Sequence, residues 1–322
     1  MKKLFLLLVA AIVAATATYA QSSLVATLSH QGDVSVFHGA NSLRQAMEAA
    51  DHGDIITLAS GSYNATDITK AITLRGAGME EDATTGSFGT KMIGDFNINI
   101  TDETSEHLII EGIYHGYVIT LNGALNNAMF QKSRFNRIVR GTNSVVNSLT
   151  LIHCRIGYQL YLPRETSATL ICCVLKDISN DGGNMEFTNC IITGNSISVS
   201  NSLFTNSLFC TEGYYGKLSG TNMATYCAAV DAASVLPSML TNKDIASFAD
   251  FNALFKPDTF YEMTEDAKSE YIGQDGTEMG IYGGNLPYDT RILSPQITKC
   301  NVAAKTTADG KLSVDIEVKA AE

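Results

Sequence analysis

Tryptophan is absent from this chain, so the widest aromatic platform for a sugar ring is missing and thirteen tyrosines are left for that work. Cys-x-x-Cys spacing is absent as well, and the six histidines show no paired spacing, so no structural zinc site is expected. Positive charge is scarce. Twenty-two Lys and Arg stand against 33 Asp and Glu, for a net charge of −11. That balance repels nucleic acid at long range and leaves only a local basic patch to attract a polyuronate. Arg75-Gly76-Ala77-Gly78 contains Gly-x-Gly but lacks the third glycine and the βαβ context of a nucleotide site.

Long apolar runs are missing except at the start. Lys2 and Lys3 precede an apolar stretch from Leu4 to Ala15, and Thr18-Tyr19-Ala20 offers small-residue cleavage. The run is too short to span a bilayer. Residues 1–20 are therefore expected to be a secretory signal, with a mature chain starting near Gln21 that is secreted, periplasmic or at the cell surface. No membrane segment is expected after cleavage, and no Cys follows the site to carry a lipid.

One phrase recurs through the middle of the chain. It runs Phe130 to Phe135, Leu151 to Ile156, Leu170 to Leu175, Phe187 to Ile192 and Phe204 to Phe209, with 17 to 21 residues between successive copies. Self-similarity at that period indicates a stacked solenoid. Each phrase reads as one strand and one bend. Phe130, Leu151, Leu170, Phe187 and Phe204 should form one inner column, and Phe135, Ile156, Leu175, Ile192 and Phe209 a second. The third-position residues are Lys132, His153, Cys172, Asn189 and Asn206. Asn suits a left-handed bend there, which makes this column structural. The fourth position holds Ser133, Cys154, Cys173, Cys190 and Ser207. Those cysteines are expected to be small inward fillers with free thiols, and Cys210 with Cys227 is the expected disulfide pair.

Upstream, Asn41 or Ser42 can cap a short helix with Leu43, Ala46, Met47 and Ala50 on one face. Gly53-Asp54-Ile55-Ile56-Thr57-Leu58, Gly61-Ser62-Tyr63 and Ile72-Thr73-Leu74-Arg75-Gly76 follow. This stretch resembles the N-terminal cap and first coil of right-handed parallel β-helix proteins of the pectin-lyase-like superfamily. Tyr271 to Gly284 resembles the closing segment of secreted bacterial β-helix proteins. Leu312, Val314, Ile316 and Val318 alternate with polar residues and predict a hairpin with Gln296 to Lys305. The expected organisation is an all-β, right-handed parallel β-helix: signal 1–20, helix-capped solenoid 21–230, and C-terminal capping segment with hairpin 231–322.

The resemblance implies a fold without an activity. The superfamily includes pectate and pectin lyases and polygalacturonases. Of the hydrolase signature only His115-Gly116 is present; Arg137-Ile138-Val139-Arg140 does not complete it, and no lyase signature occurs. Lys132, Arg134, His153 and Arg155 form a basic strip on neighbouring coils that could hold a sugar carboxylate or sulfate, or be ordinary solvated charge. Asp177, Asn180 and Asp181 are either a weak Ca²⁺ candidate or an Asx-rich turn; no other cofactor is indicated. Ile152, Ile171, Val174, Ile191 and Leu208 make an outward apolar stripe, which the C-terminal segment should cover unless it is a partner surface. Two functions follow. The first is a secreted, non-catalytic module for glycan binding or surface interaction, with Tyr214-Tyr215 near its last coils. The alternative is a polysaccharide lyase or glycoside hydrolase acting on acidic polysaccharide through a diverged site.

Overall fold

The computed structural model describes residues 24–80, 89–101, 107–142, 144–164, 166–180, 183–210, 218, 220–291 and 311, and the backbone of strands Gln296–Val302 and Val314–Lys319. The expected signal peptide, Asp181, Tyr214-Tyr215 and the side chain of Cys300 lie outside the described residues. No described helix is long and apolar enough to cross a membrane.

The chain winds into a parallel β-helix of about eight turns. Each coil gives one strand to a first sheet, bends, and gives one to a second sheet. The first inner ladder runs through Ile56, Leu74, Ile110, Phe130, Leu151, Leu170, Phe187, Phe204 and Ala224, in register from coil to coil. All nine are buried. Phe187 and Phe204 stack with ring centroids 4.3 Å apart. The second ladder joins Phe135, Ile156, Leu175, Ile192 and Phe209, as the repeat predicts. Each fully buried large side chain contributes about 1.5–3 kcal/mol.

One left-handed residue makes each bend between the sheets. Lys132, His153, Cys172, Asn189, Asn206 and Tyr226 have φ between 48° and 54°, and Gly112 takes the same place at 68°. The next residue points inward and bonds its own strand. Ser133 Oγ donates to Gln131 O, Cys173 Sγ to Ile171 O and Cys190 Sγ to Thr188 O. Ser and Cys share the slot because both are small and carry a hydrogen for that carbonyl.

At the N-terminal end, strands β1 (Val25–His30) and β2 (Asp33–His38) form an antiparallel hairpin, and β1 pairs with Ile55–Leu58. Helix Ser42–Ala49 buries Leu43, Ala46 and Met47, but no side chain caps it; Ser42 is buried with its hydroxyl unpartnered. Along the outer face of the second sheet, Met79, Val174, Ile191, Leu208, Phe251, Met279 and Ile281 make a second apolar cluster. The outward stripe on Val174, Ile191 and Leu208 is therefore covered by the C-terminal segment. Gln296–Val302 and Val314–Lys319 pair antiparallel, as the alternation predicts.

Candidate functional site

Three residues of the basic strip, Lys132, His153 and Arg155, lie under that C-terminal segment. From Tyr271 to Arg291 the chain travels back along the column of bends as a strap. Asn206 Oδ1 accepts from Gln274 N at 2.8 Å, and Asn189 Nδ2 donates to Gly280 O at 3.1 Å. Cys172 Sγ donates to Leu286 O at 2.9 Å, and His153 Nε2–H donates to the same carbonyl at 3.0 Å. Lys132 Nζ donates to Arg291 O at 2.7 Å. Five successive bends thus grip one segment. The left-handed column is structural, as expected, and its side chains point at backbone rather than solvent.

Arg155 is held on every side. It pairs with Glu80, donates Nε–H to Tyr288 Oη at 2.7 Å, and lies 3.4 Å above the Phe260 ring. Burial pushes the Tyr288 phenol well above its ordinary value, against the pull of Arg155. Asp289 sits 3.7 Å from Lys132 and accepts from Arg291 at 3.0 Å. Burial raises its pKa, but the Arg291 hydrogen bonds and the two nearby cations outweigh it and hold the carboxyl below its ordinary value. Beside the strap an open groove of about 700 Å³ is lined by Gln131, Lys132, Ile152 and residues 285–289. Of the strip, only Arg134 is exposed; its guanidinium lies 5.2 Å from the Tyr114 ring centroid.

Of the calcium candidate, the described Asp177 and Asn180 do not converge. Along strand Val174–Asn180, Ile178 and Asn180 are buried while Asp177 and Ser179 face outward. Asp177 accepts from Ser196 N, and Asn180 accepts from Gly183 N at 2.8 Å in an Asx-type turn. No cluster of three metal-ligating side chains occurs among the described residues. His115 is in the second inner ladder, between Met92 and Phe135, fully buried. It cannot meet a substrate there.

The expected Cys210–Cys227 disulfide is not made. Cys227 takes the inward small-residue slot of its coil, donating to Thr225 O, whereas Cys210 belongs to the outer cluster under the C-terminal segment. Cys154, Cys173 and Cys190 are free and fully buried, as the repeat predicts. Burial pushes Cys173 and Cys190 well above the ordinary thiol value and Cys227 up to about 12, so none is a nucleophile.

A different surface gathers exposed chemistry. The second-sheet strand Arg134–Arg140 carries Arg134, Arg137 and Arg140, and neither it nor its neighbours Ile113–Leu125 and Arg155–Leu162 holds a carboxylate. Arg137 lies 5.5 Å from the Tyr158 ring centroid, Arg140 4.7 Å from Tyr161, and Lys176 6.0 Å from Tyr158. Arg137 also donates to Gln159 Oε1 through Nε at 3.0 Å and Nη2 at 2.8 Å, which fixes its plane. Tyr117 and Tyr158 stand on either side at 46% and 49% exposure.

Bulges place these tyrosines. Phe135 pairs with His115 and with Ile156, but Arg137 pairs with Val118 and Gln159, so each neighbouring strand holds one extra residue. The extra pairs are Gly116-Tyr117 and Gly157-Tyr158. That repeated Gly-Tyr, directly after the second inner position, is a signal in the sequence for this face.

No family model, curated protein or solved structure matches the chain.

Proposed function

We propose that this chain is a secreted β-helix protein that binds an acidic polysaccharide on the tyrosine–arginine face of its second sheet, without cutting it. The observation that carries the reading is the row Arg134, Arg137 and Arg140 on one strand, flanked by two strands that hold no carboxylate, in a protein with net charge −11. Arginine forks match sugar carboxylates or sulfates, and exposed tyrosine faces accept sugar rings. Adjacent coils are about 4.8 Å apart, comparable to one hexose along an extended chain, so a glycan lying along the solenoid axis meets one coil per sugar.

The same composition supports holding rather than cutting. Hydrolysis needs a carboxyl acid and base about 5–10 Å apart, and these strands supply neither. Lyase chemistry needs an accessible base; Lys132, His153 and Arg155 of the basic strip are engaged by the strap, which leaves Arg134 as its one exposed member. The secreted setting rests on the N-terminal signal pattern, and kinship with pectin-lyase-like proteins on the motifs of the first coil.

The test is retention of the purified protein on immobilised polyuronates and sulfated glycans, with chromatography of the flow-through for new chain ends, with and without Ca²⁺. Retention that weakens with salt, and weakens at least tenfold in Arg137→Ala and Tyr158→Ala, is expected. New unsaturated or reducing ends would instead establish the lyase or hydrolase alternative. Failure to be retained on any acidic glycan would remove the binding role.

A further inference from the structure

Sheet edges at the two ends of the solenoid are treated differently. At the C-terminal end the last strand of the first sheet is sealed by side chains. Asn242 Oδ1 accepts from Cys227 N at 2.8 Å, its Nδ2 donates to Ala224 O at 2.9 Å, and Thr241 Oγ1 accepts from Tyr226 N at 3.3 Å. The last strand of the second sheet, Lys243–Ile245, carries Lys243 and Asp244, charges of the kind that discourage pairing.

Among the described residues the N-terminal edge has no such guard. β2 is the outermost strand of the first sheet. It pairs with β1 over six residues without a bulge. Its interior, Val34 to Phe37, holds no charge and no proline, and no side chain among the described residues bonds to its outer edge. Val34 and Val36 lie on one face, 64% and 51% exposed. A regular, uncharged edge with exposed β-branched residues is a template for another strand.

We propose that the strand it takes is β2 of a second copy, paired antiparallel about a two-fold axis at Ser35. Val34-Ser35-Val36 reads the same in both directions. With Ser35 opposite its own symmetry mate, Val34 of each molecule meets Val36 of the other on the same face, the self-complementarity that an isologous contact requires. Charge selects the place. Two copies of a chain at net charge −11 repel over most of their surface, and this strand is neutral from Val34 to Phe37. The two first sheets then continue into one another, end to end.

The experiment uses the full chain carrying Cys300→Ser, because the six other cysteines are buried. Light scattering should give twice the chain mass, and Val34→Lys/Val36→Lys, both at exposed positions, should weaken the dimer at least tenfold without moving the urea midpoint. Ser35→Cys should form a covalent dimer under mild oxidation, since directly opposed residues of an antiparallel pair sit about 4.5–5.5 Å apart at Cα, within disulfide reach. A monomer at high micromolar concentration with no cross-link in Ser35→Cys would overturn the proposal. So would a dimer that survives the double lysine variant, or a strand from a different protein captured in place of the second copy.

Discussion

Inside the second inner ladder His115 donates Nε2–H to Gly94 O at 2.9 Å, while its Nδ1 has no partner. A second proton would therefore sit unbonded in the core, where the Phe96 ring meets the imidazole edge-on at 4.9 Å. Burial accordingly lowers the pKa of His115, outweighing the Gly94 carbonyl and the charge of Asp95. The sign follows. Unfolded histidine takes up a proton near pH 6.5, the folded one only lower, so stability contributed by the neutral ring is full above about 6.5 and falls as pH drops toward the folded value. We expect the urea midpoint of the wild type to fall between pH 7 and 5 more steeply than that of His115→Met. Equal slopes would show that this residue is not the source. Sequence alone set His115-Gly116 beside a hydrolase signature because two letters carry no burial. Its place became visible only through the register with Met92 and Phe135.

The bends and the strap show what an element adds beyond its residues. Asn189 and Asn206 were legible as left-handed bend residues, and Gly273, Gly280 and Gly283 as marks of a closing segment. Their meeting was not legible, because the bonds run from side chain to backbone and leave no signature at the accepting residue. Contact is close: a Cβ on Gly273 would lie 2.7 Å from Asn206 Cγ. We expect Asn206→Ala to cost about 2–5 kcal/mol, combining about 1–2 for forcing alanine into the left-handed region with about 1–3 for the Gln274 N–H left without an acceptor. Asn206→Gly keeps the bend and loses only the bond, so its loss in urea denaturation should be the smaller by the first of these terms. Equal losses would mean that the φ of 52° carries no strain at this position. The tyrosine–arginine face was missed for a related reason. The sequence phrase ends at the second inner column, and beyond it the Gly116-Tyr117 and Gly157-Tyr158 bulges shift the frame, so Arg137 and Tyr158 come together only through strand pairing.

At the scale of the molecule the two inner ladders and the repeat were legible because coil-on-coil stacking forces like residues into like slots. What the repeat does not predict is cooperativity across coils. A solenoid is held by nearest-neighbour contacts and tends to open from its ends. Here the strap binds five successive bends, from Asn206 back to Lys132, and so links coils that do not touch each other. The buried thiols report on this directly, since Cys154, Cys173, Cys190 and Cys227 sit in successive or near-successive coils and react only when their coil opens. In the wild type we expect the first three to become reactive to a thiol reagent at one urea concentration, as a unit. Arg155→Ala removes the anchor that joins the strap to Glu80, Tyr288 and Phe260. Glu80 is 39% exposed, so that ion pair contributes about 0–1 kcal/mol, and the lost Tyr288 hydrogen bond adds about 1–3 kcal/mol; both losses fall on the strap rather than on the coils. In Arg155→Ala the thiols should then respond in sequence, Cys227 and Cys190 before Cys154, as the coils open one by one from the C-terminal end. Simultaneous labelling in both proteins would mean that the ladders alone make the solenoid cooperative and that the strap only covers the apolar stripe.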